Sequence, residues 1–335
     1  MKISMYLFFG LLVAMISCKP GLQKDVIYEV KGRTEVPAGI TWLTHEHLLV
    51  DFTGAGQYDP EGWDRDSVIA ILMPYLEELK KYDVDYFVDA TPAYLGRDVR
   101  LMEKISERTG LHILTNTGFY GARQNKFVPA FVREMGPVEL SELWISEFEN
   151  GIDGTGVKPG FIKIGVDNTV PLDSLHVKLV KAAALAHLRT GLTIASHTGE
   201  AKAMWPQLEI LEGMGVSPEA FIWVHAQAEK DNNEYLEAAG RGCWISLDGM
   251  GWETENHIEK ILFAKEHGIL DRILLSHDAG WYDPQKSDQD IKPYTNLFTT
   301  VIPVLESKGF TEEEIMLLTC TNPAGAFAVG VRRAE

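Results

Sequence analysis

A chain of 335 residues has room for one large domain or two ordinary ones, and 45% hydrophobic with 24% charged residues is globular composition, which excludes disordered and fibrous classes. Against 48 Asp and Glu there are 31 Lys and Arg, a net charge of −17. A phosphate backbone is repelled by such a surface and no basic stripe offsets it, so nucleic acid is excluded as a partner.

The front of the chain reads as an address. Lys2, an apolar run over 3–16 and the small Ser17 form the n-region, h-region and cleavage-like site of a signal peptide over 1–17. The run is too short to span a bilayer comfortably as a helix. Met15-Ile16-Ser17-Cys18 resembles a bacterial lipobox, which makes Cys18 the lipidated first residue of an exported chain. A plain secretory signal and a buried helix are the alternatives. The expectation is a lipoprotein of the bacterial cell envelope, periplasmic or outer-membrane, that touches membrane only through this anchor. Residues 18–34 read as a tether and the start of a hairpin around Gly32. Cys243 and Cys320 lie in apolar segments and read as buried thiols, and three cysteines cannot build a disulfide scaffold.

From there the chain repeats one pattern to residue 332. Strand-like runs at 40–47, 85–91, 112–120, 160–167, 192–198, 221–227, 243–249 and 272–278 alternate with helix-period segments. Those segments include 67–81, 98–109, 171–190 and 233–239, and two more, 295–308 and 311–327, follow the last strand. Thr311 and Glu314 form a capping box. The strands are nearly continuously apolar, as parallel strands covered on both faces must be. Eight such units in one domain, 35–332, predict an α/β fold, a (β/α)8 TIM barrel with a short N-terminal hairpin extension. An open doubly wound sheet is the alternative, but no Gly-rich phosphate loop follows any strand.

The histidines matter by position. His45 and His47 share one face of the first strand, about 6.5–7 Å apart, with Glu46 on the other. His197, His225 and Asp278 end strands five, six and eight, and Lys163 sits in strand four. In a barrel these converge on the C-terminal mouth. Four imidazoles and a carboxylate suit zinc or a similar divalent ion and are too many for one open tetrahedral site, so two metals fit better. A lysine there is either snorkelling from a strand end or a neutral amine able to take up CO2 and become a bridging carbamate. Position alone leaves both open.

Gly39 to His47, Asp89-Ala-Thr, Gly96-Arg-Asp98, Thr117-Gly-Phe-Tyr120 and Gly160 to Gly165 together resemble the phosphotriesterase family of the amidohydrolase superfamily. The match continues through Ser196-His-Thr198, Val224-His225, Ser246-Leu-Asp248, Leu275 to Asp278 and Thr321-Asn-Pro323. These run in the family's order from about residue 25 to 330. The resemblance implies that His45, His47 and Asp278 hold a buried metal, that His197 and His225 hold a more exposed one, and that carboxylated Lys163 bridges them with a hydroxide. It implies zinc, with manganese, cobalt or iron as alternatives. It also implies a catalytic role for Asp278 as proton acceptor, a pocket-lining Tyr120 pointing at the metals, and, from relatives that are often dimers, a homodimer.

The sequence departs from the family where Asp248 is followed by Gly249, in place of a phosphotriesterase histidine or a lactonase arginine. His225 is likewise followed by Ala226-Gln227-Ala228, without the acidic relay residue. That argues against efficient organophosphate hydrolysis and for a roomier pocket. Trp252, Trp281 and Tyr282 are further pocket candidates in loops. The function expected is hydrolysis of a small ester, most readily a lactone. Cleavage of a C–N bond in a lactam or N-acyl compound, or a non-catalytic lipid-anchored binding protein, are the other readings; retention of every ligand position speaks against the last.

Overall fold

The computed structural model describes residues 26–335; the signal-peptide, lipidation and tether expectations on 1–25 lie outside the described residues. An antiparallel hairpin opens the described chain, β1 (Val26–Glu29) against β2 (Gly32–Glu35). The barrel strands follow: β3 (Thr41–Leu49), β4 (Val84–Asp89), β5 (His112–Leu114) continued by β6 (Asn116–Thr117), β7 (Phe161–Gly165), β8 (Ile194–His197), β9 (Phe221–Val224), β10 (Trp244–Leu247) and β11 (Ile273–Leu275). All pair parallel with their sequence neighbours. A short β12 (Gly280–Tyr282) adds to the outer end of β3. With helices outside, α1 (Arg65–Glu78), α2 (Val99–Thr109), α3 (Pro137–Asn150), α4 (Ser174–Thr190), α5 (Ala201–Gly213), α6 (Asn233–Gly240) and α7 (Thr254–Glu266), this is a (β/α)8 barrel.

Local chemistry sets the helix ends. The Asp64 and Asp98 side chains accept from the Ser67 and Leu101 amides at 3.0 Å and start α1 and α2, and Gly110 and Gly191 end α2 and α4 in the left-handed region. The last two predicted helices form over the expected spans, each with a wide turn inside it. Each holds a proline, Pro303 or Pro323, that cannot donate to the carbonyl four residues back and crowds it. A wide π-type turn therefore precedes α8 (Ile302–Ser307), and another joins α9 (Glu312–Met316) to α10 (Asn322–Phe327). The Thr311–Glu314 capping box forms as expected, at 2.8 and 3.3 Å.

The barrel's lower half is a dry plug. Trp42, Tyr86, Phe161, Ile222, Trp244 and Phe327 pack inside it with Ile27 of the hairpin, and Trp42 stacks on Tyr86 with centroids 4.1 Å apart. The hairpin closes this end, held by Val30 N to Ile113 O at 2.9 Å and by Glu29 to the His112 ring at 2.8 Å. The upper half is not filled the same way, because the inward row changes character on β7 and β8: Phe161 is followed by Lys163, and Ala195 by His197.

Closure depends on the start and end of the ring. On β3 the pairing with β4 slips between Leu43 and Glu46, so that three steps along β3 match two along β4. Alternation from inward-facing Trp42 would point Thr44 and Glu46 inward; the extra residue turns His45 and His47 inward instead. Glu46 then faces the other way, fully buried. Its carboxylate accepts from Ser276 Oγ (2.8 Å), His277 N (3.1 Å), His277 Nδ1 (2.7 Å) and Ala279 N (3.0 Å). The His277 ring is fixed as the Nδ1–H tautomer, since its Nε2 accepts from Leu297 N at 2.9 Å. Backbone bonds from Asp278 N to His45 O (3.0 Å) and from His47 N to Ala279 O (2.9 Å) complete the seam. Glu46→Ala would strand four buried donors, so urea unfolding should show a loss of about 3 kcal/mol or more. Glu46→Gln should lose less, because its amide oxygen still accepts.

Candidate metal centre

The six predicted ligand residues meet at the mouth. His45, His47, Lys163, His197, His225 and Asp278 line one cavity of about 90 Å³, together with Tyr120, Arg123 and Trp281 and the apolar Val50, Phe52, Leu95 and Phe127. Two of them sit beyond the strands that were expected to carry them. His225 follows the last residue of β9 and Asp278 lies three residues past β11, each in the left-handed region with φ of 60° and 52°. Non-glycine residues are rarely held there, and such strain collects at functional sites. At Asp278 the holding groups are visible: Glu46 binds the backbone amides on both sides of it.

The imidazoles are aimed from behind. Asp248, fully buried just past β10, accepts from His225 Nδ1 at 2.7 Å and stands 3.3 Å from His45 Nδ1. Thr91 Oγ1 is 2.7 Å from His47 Nδ1. Three rings thus engage Nδ1 outward and turn Nε2 toward the cavity. There His47 Nε2 lies 3.0 Å and His45 Nε2 3.8 Å from Asp278 Oδ1. One ligand atom from each of His45, His47 and Asp278 lies within 4.8 Å of the others. The rings of His45 and His225 are 5.0 Å apart, those of His197 and His225 4.4 Å.

Burial and mutual repulsion set the charges. Desolvation, with Lys163 close by, lowers His45 to about 3, and desolvation with His225 and Lys163 takes His197 well below the usual histidine value. Both are neutral imidazoles at pH 7. Burial also depresses His225, but the charge and hydrogen bond of Asp248 outweigh it and raise its pKa. Asp278 would be raised by burial, yet its hydrogen bond with His47 and the charges of His225, His47 and His45 hold it well below the usual carboxylate range. Desolvation lowers Lys163 to about 8, within reach of a neutral amine. Imidazoles, two of them held neutral by burial, an anionic carboxylate and a lysine that can lose its proton are the donor set that divalent cations take, so these residues fit the metals expected from the sequence.

The remaining candidates divide. The Tyr120 hydroxyl is 3.1 Å from the His197 ring nitrogens, and burial pushes its pKa up, so it stays a donor. Trp281 lines the cavity with its ring 6.2 Å from His47. Trp252 does not; it is half exposed and packs 5.6 Å from Trp281 at the rim. Tyr282 pairs with Leu49 on β12 and also stays outside the lining. Gly249 leaves no extra room, since a side chain there would meet Gln227 Nε2 at 2.9 Å and His257 Cε1 at 3.2 Å. Gln227 instead donates to Asp248 Oδ1 at 3.0 Å, so the expected roomier pocket is filled from the side. Asp248, Thr91 and Glu46 lie within the family-like motifs but were given no role from the sequence; each is a polar residue in or beside an apolar strand run. Cys243 and Cys320 are free and buried, as expected.

A model of the phosphotriesterase family matches residues 28–327. The phosphotriesterase homology protein of Escherichia coli K12 is 29% identical over 296 residues, 87% of this chain and 98% of that one. The aryldialkylphosphatase of Saccharolobus solfataricus is 29% identical over 300 residues, covering 85% and 94%. The N-acetyltaurine hydrolase of Rattus norvegicus is 29% identical over 325 residues, covering 84% and 91%. The matched stretch contains the seam, the cavity and every residue that converges on it, and the chain belongs to the phosphotriesterase family, a family of binuclear metal hydrolases.

Proposed function

We propose that the chain hydrolyses a small ester, most readily a lactone, at a centre of two divalent ions held by His45, His47, Asp278, His197, His225 and carboxylated Lys163. The observation that carries this is the convergence of four imidazoles, Asp278 and Lys163 in one small cavity with apolar walls. The first three residues would hold the buried ion, the two other histidines the outer one, and Lys163 both. When bound, such a pair supplies a hydroxide at neutral pH and an electrophile for the substrate's carbonyl or phosphoryl oxygen.

The chain's own residues do the rest. Asp248 and Thr91 keep the ring nitrogens of His225, His45 and His47 pointed at the cavity, so no reorganisation is needed at the moment of reaction. Asp278 accepts the proton released on attack at the carboxylate oxygen turned away from His47. Tyr120 donates its phenol proton as a hydrogen bond to the reacting oxygen. Val50, Phe52, Leu95 and Phe127 exclude water and favour a short acyl chain over a bulky phosphotriester.

A second reading, cleavage of a C–N bond in a lactam or N-acyl compound, is supported by the relatives named N-acetyltaurine hydrolase. An assay of lactones, aryl esters, phosphotriesters and N-acyl compounds separates the two. We also propose export on a lipid anchor at Cys18 and assembly as a homodimer; loss of radiolabelled palmitate incorporation in Cys18→Ser checks the anchor.

Activity should fall by at least about a hundredfold in His197→Ala and in Asp278→Asn. Unchanged turnover in either would remove the assignment. Carbamate formation joins the neutral Lys163 amine to CO2 and releases one proton. Because the folded lysine titrates near 8, metal uptake by stripped protein at fixed dissolved CO2 should quicken as pH rises to about 8 and level off above it. Lys163→Ala should hold fewer than two equivalents by elemental analysis, whatever the CO2 supply.

A further inference from the structure

The apolar wall of the cavity is interrupted by one side chain that the proposed reaction does not use. Arg123 lies in the loop after β6. Its guanidinium sits over the Phe52 ring, 5.4 Å from the centroid, and beside the Tyr120 hydroxyl, which is itself 3.1 Å from His197. Among the described residues no carboxylate forms an ion pair with it. The neighbouring Lys126 is already engaged, since its ammonium donates to the Phe52 carbonyl at 2.7 Å. Lys163 belongs to the metal cluster. Among the described residues that line the cavity, Arg123 is therefore the cation outside the metal cluster, its side chain touching Tyr120 and no carboxylate partner.

Its backbone is held there against preference. Arg123, Gln124 and Asn125 have φ of 58°, 59° and 60°, three consecutive left-handed residues and none a glycine. Each costs roughly 1–2 kcal/mol relative to the right-handed form. The Asp167 carboxylate offsets this by accepting from Arg123 N at 2.7 Å and Gln124 N at 3.0 Å, and Asn125 N donates to Gly121 O at 2.9 Å. Asp167 lies two residues past β7, the strand that carries Lys163. The turn bearing the cation and the base of the metal cluster are thus fixed by the same strand.

We infer that Arg123 receives a carboxylate on the substrate, set a short spacer away from the scissile carbonyl. The inference rests on the hydrolase reading above and narrows it to anionic acyl compounds. A guanidinium stacked on an aromatic ring is weakly hydrated and rigid, and it meets a carboxylate with two parallel hydrogen bonds. Tyr120 lies between the cation and His197, so one substrate can touch both.

The test compares para-nitrophenyl pentanoate with mono-para-nitrophenyl glutarate on metal-loaded protein. These esters have equal chain length and differ in the terminal carboxylate. Wild type should favour the glutarate ester by about tenfold or more in kcat/KM. Arg123→Ala should bring that ratio down to about one, mainly by raising KM for the glutarate ester, and Arg123→Lys should keep part of it. No preference in wild type, or equal losses on both esters in Arg123→Ala, would overturn the inference. Calorimetry with glutarate gives a readout independent of turnover: the alanine variant should bind about tenfold more weakly. If neither ester is cleaved, the ester reading fails alone, and unchanged glutarate affinity in Arg123→Ala then decides against the carboxylate contact.

Discussion

A buried carboxylate at Glu46 holds the first and last turns of the barrel together, and the rest of the mouth depends on it. It accepts four hydrogen bonds from 276–279, the segment just past β11. The residue is available for this only because β3 carries a bulge that rotates Glu46 out of the barrel as it rotates His45 and His47 in. One extra residue in one strand therefore orients two ligands and provides the clasp for a third. Asp278 could not keep a left-handed backbone without neighbours fixed on both sides.

The same low-dielectric enclosure decides protonation. Four imidazoles linked by centroid separations of 4.4, 5.0 and 5.4 Å could not all carry charge, and burial keeps His45 and His197 neutral. Asp248 pulls the other way, raising His225 while fixing its ring orientation. The same hydrogen bond from His225 Nδ1 to Asp248 would make Nε2 a more basic ligand for a divalent ion. Backbone register thus sets where the rings stand and depth sets most of their charge, while Asp248 acts on both at His225.

The ligand set was legible because barrel strands alternate with a period of two and end at a common level, so a histidine at the end of an apolar run advertises where it points. Lys163 was legible as an anomaly, a charge in a buried strand. The residues behind the ligands were not. Thr91 and Asp248 are ordinary polar residues until the neighbouring strands are placed, and the bulge at 43–46 is a relation between two strands that neither states alone. The turn at 123–125 was invisible for a similar reason: Arg-Gln-Asn has no glycine, and its conformation is set by Asp167, more than forty positions away. Trp252 and Tyr282 misled because loop aromatics look alike in sequence whether they face the cavity or one another. The two helices after the last strand run to the ends the sequence predicts; only the π-type turns inside them, at Pro303 and Pro323, were not legible.

The hairpin at the closed end has a bearing on orientation. Val26 enters the fold beside Val329, next to Ile27 in the plug and at the opposite pole from the histidines. Anything attached ahead of that point holds the barrel by its base. A molecule so moored turns its opening to the surrounding fluid, and small solutes reach it without first passing between the protein and the surface that carries it.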